Sequence, residues 1–266
     1  MWRATLTPDG PASVRISHAA SRSPQVHTYG EGAEWLAARA HDMYGLSDSL
    51  PLITAQHDTV ATAQRTFGQL PMGRSHVPYH ELLPAVLGQR VTGLEAHREW
   101  NVLVRRHGRR APGPVDDLWV PPHPDELTSL PYTTLHTYGI EKKRADALRA
   151  VAKHAHFLHR LAESSLPAHE LTQKLQLIPG VGVWTAAVAG GLAFGDPDAL
   201  QVGDFHVKNT VAYALTGAIR GTDEEMIRSM APYAGQRHRV VRWLQLSGMK
   251  APARGPRQRI VSITRL

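Results

Sequence analysis

The chain has 266 residues, 42% hydrophobic and 20% charged, a globular composition with room for one large domain and a small appendage. A formal net charge of +7 and a pI near 9.9 point to a polyanionic partner, most commonly nucleic acid. There is no cysteine, which excludes disulfides, thiolate zinc sites, iron–sulfur clusters and cysteine nucleophiles together.

The opening residues Met1-Trp2-Arg3-Ala4-Thr5-Leu6-Thr7-Pro8 lack the apolar stretch of a signal peptide. Nothing approaches the roughly 18 apolar residues of a membrane span. A soluble, cytoplasmic protein with no membrane partner is expected. Alternation in Ala4-Thr5-Leu6-Thr7 and Ala12-Ser13-Val14-Arg15-Ile16-Ser17 around Pro8-Asp9-Gly10-Pro11 predicts a hairpin. A helix is predicted from Ala33 to Ala40. Residues 1–70 thus read as a small α+β unit whose two strands need further partners.

From Pro78 the pattern is helical. Leu82, Leu83, Val86 and Leu87 share one apolar face, interrupted at Gly88-Gln89-Arg90-Val91-Thr92-Gly93. The next helix carries Ala96, Trp100, Leu103 and Val104 and stops at His107-Gly108. Proline-rich residues 109–124 read as a linker or loop. One long amphipathic helix is predicted from Glu141 to Leu161. Further helices are predicted after Gly182, after Asp204, over Asp223–Tyr233 and from Arg237 to about Leu246. A basic tail, 251–266, carries Arg254, Arg257, Arg259 and Arg265.

Two segments carry the chemistry. Ile178-Pro179-Gly180-Val181-Gly182-Val183-Trp184-Thr185-Ala186 reads as a tight hairpin between helices, and its glycines let the backbone approach a ligand closely. The free N–H groups and positive end of the following helix suit a phosphate. A plain helix–helix turn uses the same residues. Val202-Gly203-Asp204-Phe205-His206 then sets one carboxylate at the mouth of a new helix, where an ordinary N-cap also places an aspartate. Sixteen histidines raise the question of metal, but His154, His156 and His159 do not share one helix face.

Together these segments resemble the helix-hairpin-helix DNA glycosylase superfamily, closest to its 3-methyladenine DNA glycosylase II branch. Leu83-Pro84-Ala85-Val86-Leu87-Gly88-Gln89-Arg90 is similar to its first core helix and DNA-probing loop. Gly139-Ile140-Glu141-Lys142-Lys143-Arg144-Ala145 is similar to its internal basic element. The resemblance covers residues 78–247. It implies a mainly α fold: a core of two helical subdomains around a cleft over 71–250, with a small N-terminal α+β part, a truncated β-rich domain. It implies Asp204 as the catalytic carboxylate, stabilising oxocarbenium character as the base departs. Trp184 stands where strand-nicking members carry an imine-forming lysine, so a monofunctional enzyme leaving an abasic site is implied.

The same resemblance implies a base pocket with Trp184, Val188 and Trp243. Ordinary core packing remains the other reading of Trp184. An indole face attracts cationic alkylated purines, whereas Val188 stands where that branch often has a second aromatic. Gln89 and Arg90 occupy the place of residues that fill the gap of the flipped nucleotide. DNA contacts are implied for Gly180, Gly182, Thr185, His206, Lys208 and Arg237, with His238 and Arg239 beside them. A structural Na⁺ or K⁺ is implied at the carbonyls of Gln176, Ile178 and Val181, with no required cofactor. The expected partner is duplex DNA containing a damaged base, bound by a monomer near the prokaryotic nucleoid. Alternatives are a glycosylase for uracil, hypoxanthine or an oxidised purine, and a non-catalytic protein of damaged DNA.

Overall fold

The computed structural model describes residues 1–17 and 24–252. The basic tail lies outside the described residues apart from Ala251 and Pro252. Strands β1 (Trp2–Thr7), β2 (Gly10–Ser17) and β3 (Gln25–Gly30) form an antiparallel sheet in that order. The predicted hairpin is present, and β3 is the partner it required. Gln25, Val26 and His27 are exposed, so no apolar alternation marks this strand in the sequence. Ala12, Val14 and Ile16 of β2 pack on Trp35, Leu36 and Ala40 of α1 (Ala33–Tyr44). The sheet docks on the helices through Arg3–Glu81 at 2.5 Å and through Thr5 and His80 at 2.8 Å.

Helix α2 (Asp58–Phe67) departs from the expected 1–70 unit: its Val60 and Ala63 belong to a helical core built from the far end of the chain. Helices α3 (Pro78–Leu87) and α4 (Gly93–His107) match expectation, with Thr92 capping α4 through the Glu95 N–H. The predicted loop at 109–124 contains a short hairpin, β4 (Arg109–Arg110) against β5 (Trp119–Val120). Helices α5 (Pro124–Ser129) and α6 (Tyr132–Thr137) follow.

The predicted single helix over 141–161 is two, α7 (Lys142–Lys153) and α8 (Ala155–Ala162). They meet at His154, whose ring nitrogen lies 2.7 Å from the Ala150 carbonyl and closes the last turn of α7. Then come α9 (Ala168–Lys174), a 3₁₀ turn at Leu175–Leu177, and α10 (Val183–Ala193). The chain ends in α11 (Phe205–Thr216), α12 (Asp223–Met230) with a 3₁₀ turn at Ala231–Tyr233, and α13 (Arg237–Leu246).

Two helical cores result. Leu82, Leu83 and Leu87 of α3, Leu103 of α4 and Leu148 of α7 pack with Ala186, Ala189 and Ala193 of α10 in the first. Val60, Val211, Met226, Tyr233, Val240 and Trp243 form the second. Full burial of such a side chain contributes roughly 1.5–3 kcal/mol. The fold is mainly α with a small N-terminal sheet, as expected. No helix among the described residues is long and apolar enough to cross a membrane.

Candidate active site

The hairpin is held from below. Ile178 and Val181 are buried, and the Val181 N–H donates to the Ile178 carbonyl at 3.0 Å. Gly180 has φ +84°, and a Cβ there would lie 2.5 Å from that of Ala147 on α7, so turn geometry and close packing both require glycine. Gly182 differs. Among the described residues a Cβ there would meet nothing within 4 Å, and no side chain caps the helix it opens. The first intrahelical bond of α10 runs from the Ala186 N–H to the Gly182 carbonyl. The N–H groups of the preceding turn precede that ladder, on a surface where Gly182 and Val183 are exposed.

The loop after α3 locks onto this hairpin. Gln89 Nε2 donates to the Gly180 carbonyl and to Thr185 Oγ1, both at 2.9 Å. Gln89, expected to fill a gap in the duplex, is thus a clamp between the loop and the hairpin in the free protein. Thr185, expected to contact DNA, is 2% exposed with its hydroxyl taken by that clamp. Arg90, exposed in the turn after α3, has φ +58°, in the left-handed region. Beneath the loop, buried Arg144 donates to the carbonyls of Leu87 at 2.9 Å and Gly139 at 3.1 Å and pairs with buried Glu99. That role gives the Gly139–Ala145 element its physical meaning.

Trp184 and Asp204 meet. The indole Nε1–H donates to Asp204 Oδ2 at 2.9 Å, while Oδ1 accepts from the N–H groups of His206 at 2.7 Å and Val207 at 2.9 Å. Asp204 is therefore a true N-cap of α11 and also a carboxylate fixed from two sides. A Cβ on Gly88 would stand 3.2 Å from the indole edge, so the same ring packs against the end of α3. Half-buried Trp184 is neither pure core nor free surface. The turn before Asp204 is braced by Asp223, which accepts from the Gly203 N–H at 2.9 Å and from Lys208 Nζ at 3.1 Å. Lys208, expected at a phosphate, spends its charge on that pair. Next to it, His206 is exposed, and its ring meets Phe205 edge-on at 5.3 Å.

Three further expectations change. Trp243 is 1% exposed inside the second helical core, because the apolar face of α13 turns inward there. The Arg237 guanidinium and backbone N–H both bind Asp198, and this pairing lifts the arginine's already high pKa further. His238 and Arg239 point inward: Arg239 pairs with Asp48 at 2.6 Å, and His238 lies against Gly191 of α10. Val188 is half-buried on the flank of the first core.

At the proposed cation position, Pro179 lacks an N–H, so the Gln176 carbonyl has no 3₁₀ partner three residues on. The Val181 carbonyl precedes the first bond of α10, and that of Ile178 keeps a second lone pair. This donor set of carbonyl oxygens fits a hard monovalent ion. No cluster of three His, Cys, Asp or Glu able to hold a metal occurs among the described residues. A separate cavity of about 670 Å³ lies away from Asp204, between the sheet and the helices, lined by Leu6, Pro11, Tyr79, Arg109 and His159 among others.

No family profile and no curated protein sequence matches this chain. Solved structures do. A 3-methyladenine DNA glycosylase from Archaeoglobus fulgidus is 18% identical over 91% of this chain and 84% of its own, with a TM-score of 0.71. A Clostridium acetobutylicum 8-oxoguanine glycosylase/lyase in complex with double-stranded DNA is 14% identical over 92% and 88%, with a TM-score of 0.66. A Schizosaccharomyces pombe 3-methyladenine DNA glycosylase in complex with abasic DNA is 18% identical over 75% and 96%, with a TM-score of 0.59. At these identities the likeness is one of architecture. The chain has the fold of the helix-hairpin-helix DNA glycosylases.

Proposed function

We propose that the protein is a monofunctional DNA glycosylase of base excision repair. It bends duplex DNA, flips a damaged base into the cleft beside Trp184, and leaves an abasic site after water attacks the sugar. The observation that carries this reading is Asp204, held by two backbone N–H groups and the Trp184 indole. A carboxylate preorganised in this way stabilises the cationic sugar without rearranging at the moment of bond cleavage. The open N-terminus of α10 at Gly182 grips a phosphate, His206 supports the same backbone, and Arg90 at the tip of its loop enters the gap left by the flipped base. A monovalent ion at the carbonyls of Gln176, Ile178 and Val181 adds positive charge beside that phosphate when bound.

Trp184 cannot form an imine, which favours hydrolysis alone. Its indole face suits an alkylated, cationic purine. A second reading, an uncharged lesion such as uracil, hypoxanthine or an oxidised purine, is favoured by one observation, the polar ring of His238 against Gly191. A damaged-DNA-binding protein without activity uses Asp204 only as the cap of α11 and gives no part to its bond with the Trp184 indole. The test is base release from duplexes carrying single lesions, with methylated genomic DNA alongside. Free base and an intact strand, cleaved only on heating in alkali, are expected. Covalent trapping by borohydride would defeat the monofunctional assignment, and binding with no base released would leave the non-catalytic one.

A further inference from the structure

His238 projects from the first turn of α13, and its Nε2 is the atom nearest Gly191: a Cβ there would stand 3.2 Å away. Gly191 lies on the same stripe of α10 as Trp184 and Val188, since steps of four and three residues return to one helix face. The imidazole therefore closes the inner end of a stripe whose outer end holds Trp184 and Asp204, about 10 Å away along the helix axis. Its placement is firm. Arg237 bound to Asp198, and the Arg239 N–H bound to the Pro197 carbonyl at 3.1 Å, fix the turn of α13 on either side of it.

The ring is only partly exposed, and Nδ1 is sealed with no hydrogen-bond partner among the described residues. A buried N–H without a partner is rarer than an unpaired acceptor. The proton therefore belongs on Nε2, leaving the donor on the nitrogen that lies against Gly191. Burial, then Arg242 and Arg239, pushes the imidazole pKa down to about 4, so the ring is neutral at physiological pH. Arg239 has its carboxylate in Asp48. Arg242, one turn further along α13, donates to the Pro71 carbonyl at 2.9 Å and has no carboxylate partner among the described residues. Its charge stands uncompensated next to the ring.

We infer that His238 reads the extruded base through Nε2–H, and that the pocket takes a neutral base bearing a carbonyl acceptor in preference to a cationic alkylated purine. This rests on the glycosylase reading proposed above. A donor at the end of the stripe is satisfied by a ring carbonyl of hypoxanthine, uracil or 8-oxoguanine, whereas 3-methyladenine offers no carbonyl to it. The Arg242 charge opposes both cationic purines, including 7-methylguanine, which keeps a carbonyl.

The test compares the parent protein with His238→Phe and His238→Gln in single-turnover base release. The duplexes carry one hypoxanthine, uracil or 8-oxoguanine each, and methylated DNA reports release of 3-methyladenine and 7-methylguanine. The parent is expected to release at least one of hypoxanthine, uracil and 8-oxoguanine faster than either methylated purine. His238→Phe should slow that release about ten- to hundredfold, with duplex Kd unchanged, and His238→Gln, which keeps an N–H, should recover most of it. Parental release confined to methylated purines overturns the inference and leaves the glycosylase reading intact. Undiminished release of the carbonyl base by His238→Phe does the same. Release of no base from any substrate overturns both.

Discussion

The N-termini of α10 and α11, bridged by the Trp184–Asp204 hydrogen bond, use the same dipole in opposite ways. Asp204 fills the end of α11 with the chain's own carboxylate, which takes two of its N–H groups. At the end of α10 stands Gly182, with no side-chain cap and open space where a Cβ would be. One terminus has spent its field on an internal anion, the carboxylate to which the proposed function gives the chemistry. The other keeps its field, which the proposed function gives to a DNA phosphate. The Trp184–Asp204 bond joins the two, because Trp184 belongs to the first turn of α10.

Substitutions at each terminus should therefore have different signatures. The largest effect is expected for Asp204→Ala, which should slow base release on the order of a thousandfold. The same change removes the cap of α11 and should lower stability by about 1 kcal/mol in thermal melts. Gly180→Ala should be a folding defect: its φ of +84° and the 2.5 Å approach to Ala147 predict a loss of about 1–3 kcal/mol in denaturant titration. Trp184→Phe keeps the aromatic face but removes the donor to Asp204. A drop of about tenfold in the chemical step, at constant duplex affinity, is expected. Gly182→Ala should be the mildest change, with an unaltered melting temperature and about threefold weaker duplex binding. A Gly182→Ala protein that binds as the parent does would remove the hairpin from the phosphate grip and erase the contrast.

Much of this site was legible in the sequence because its parts are local. A glycine-rich turn and an aspartate before a helix depend on neighbouring residues, and both formed where the residues indicated. The bond between Trp184 and Asp204 was not legible, since it spans 20 positions through tertiary packing. His238 sits between two arginines and is expected beside the DNA contacts; only the turn of α13 onto Gly191 shows its inward side. Trp243 shows the same limit from the other direction, an aromatic expected at a pocket and buried in a core. In the fold, β3 and α2 escaped because few apolar residues mark them, and the break at His154 escaped because the helical pattern runs across it.

Asp204→Asn separates the two duties of this residue more cleanly than alanine does. Asparagine still offers an oxygen to the N–H groups of His206 and Val207, so the cap and the fold are kept. The decisive measurement is single-turnover base release by Asp204→Asn on a duplex the parent protein processes, with Kd determined on the same duplex. The expected result is parental affinity with base release reduced by orders of magnitude. Release at the parental rate would contradict the assignment of Asp204 as the group that carries the reaction.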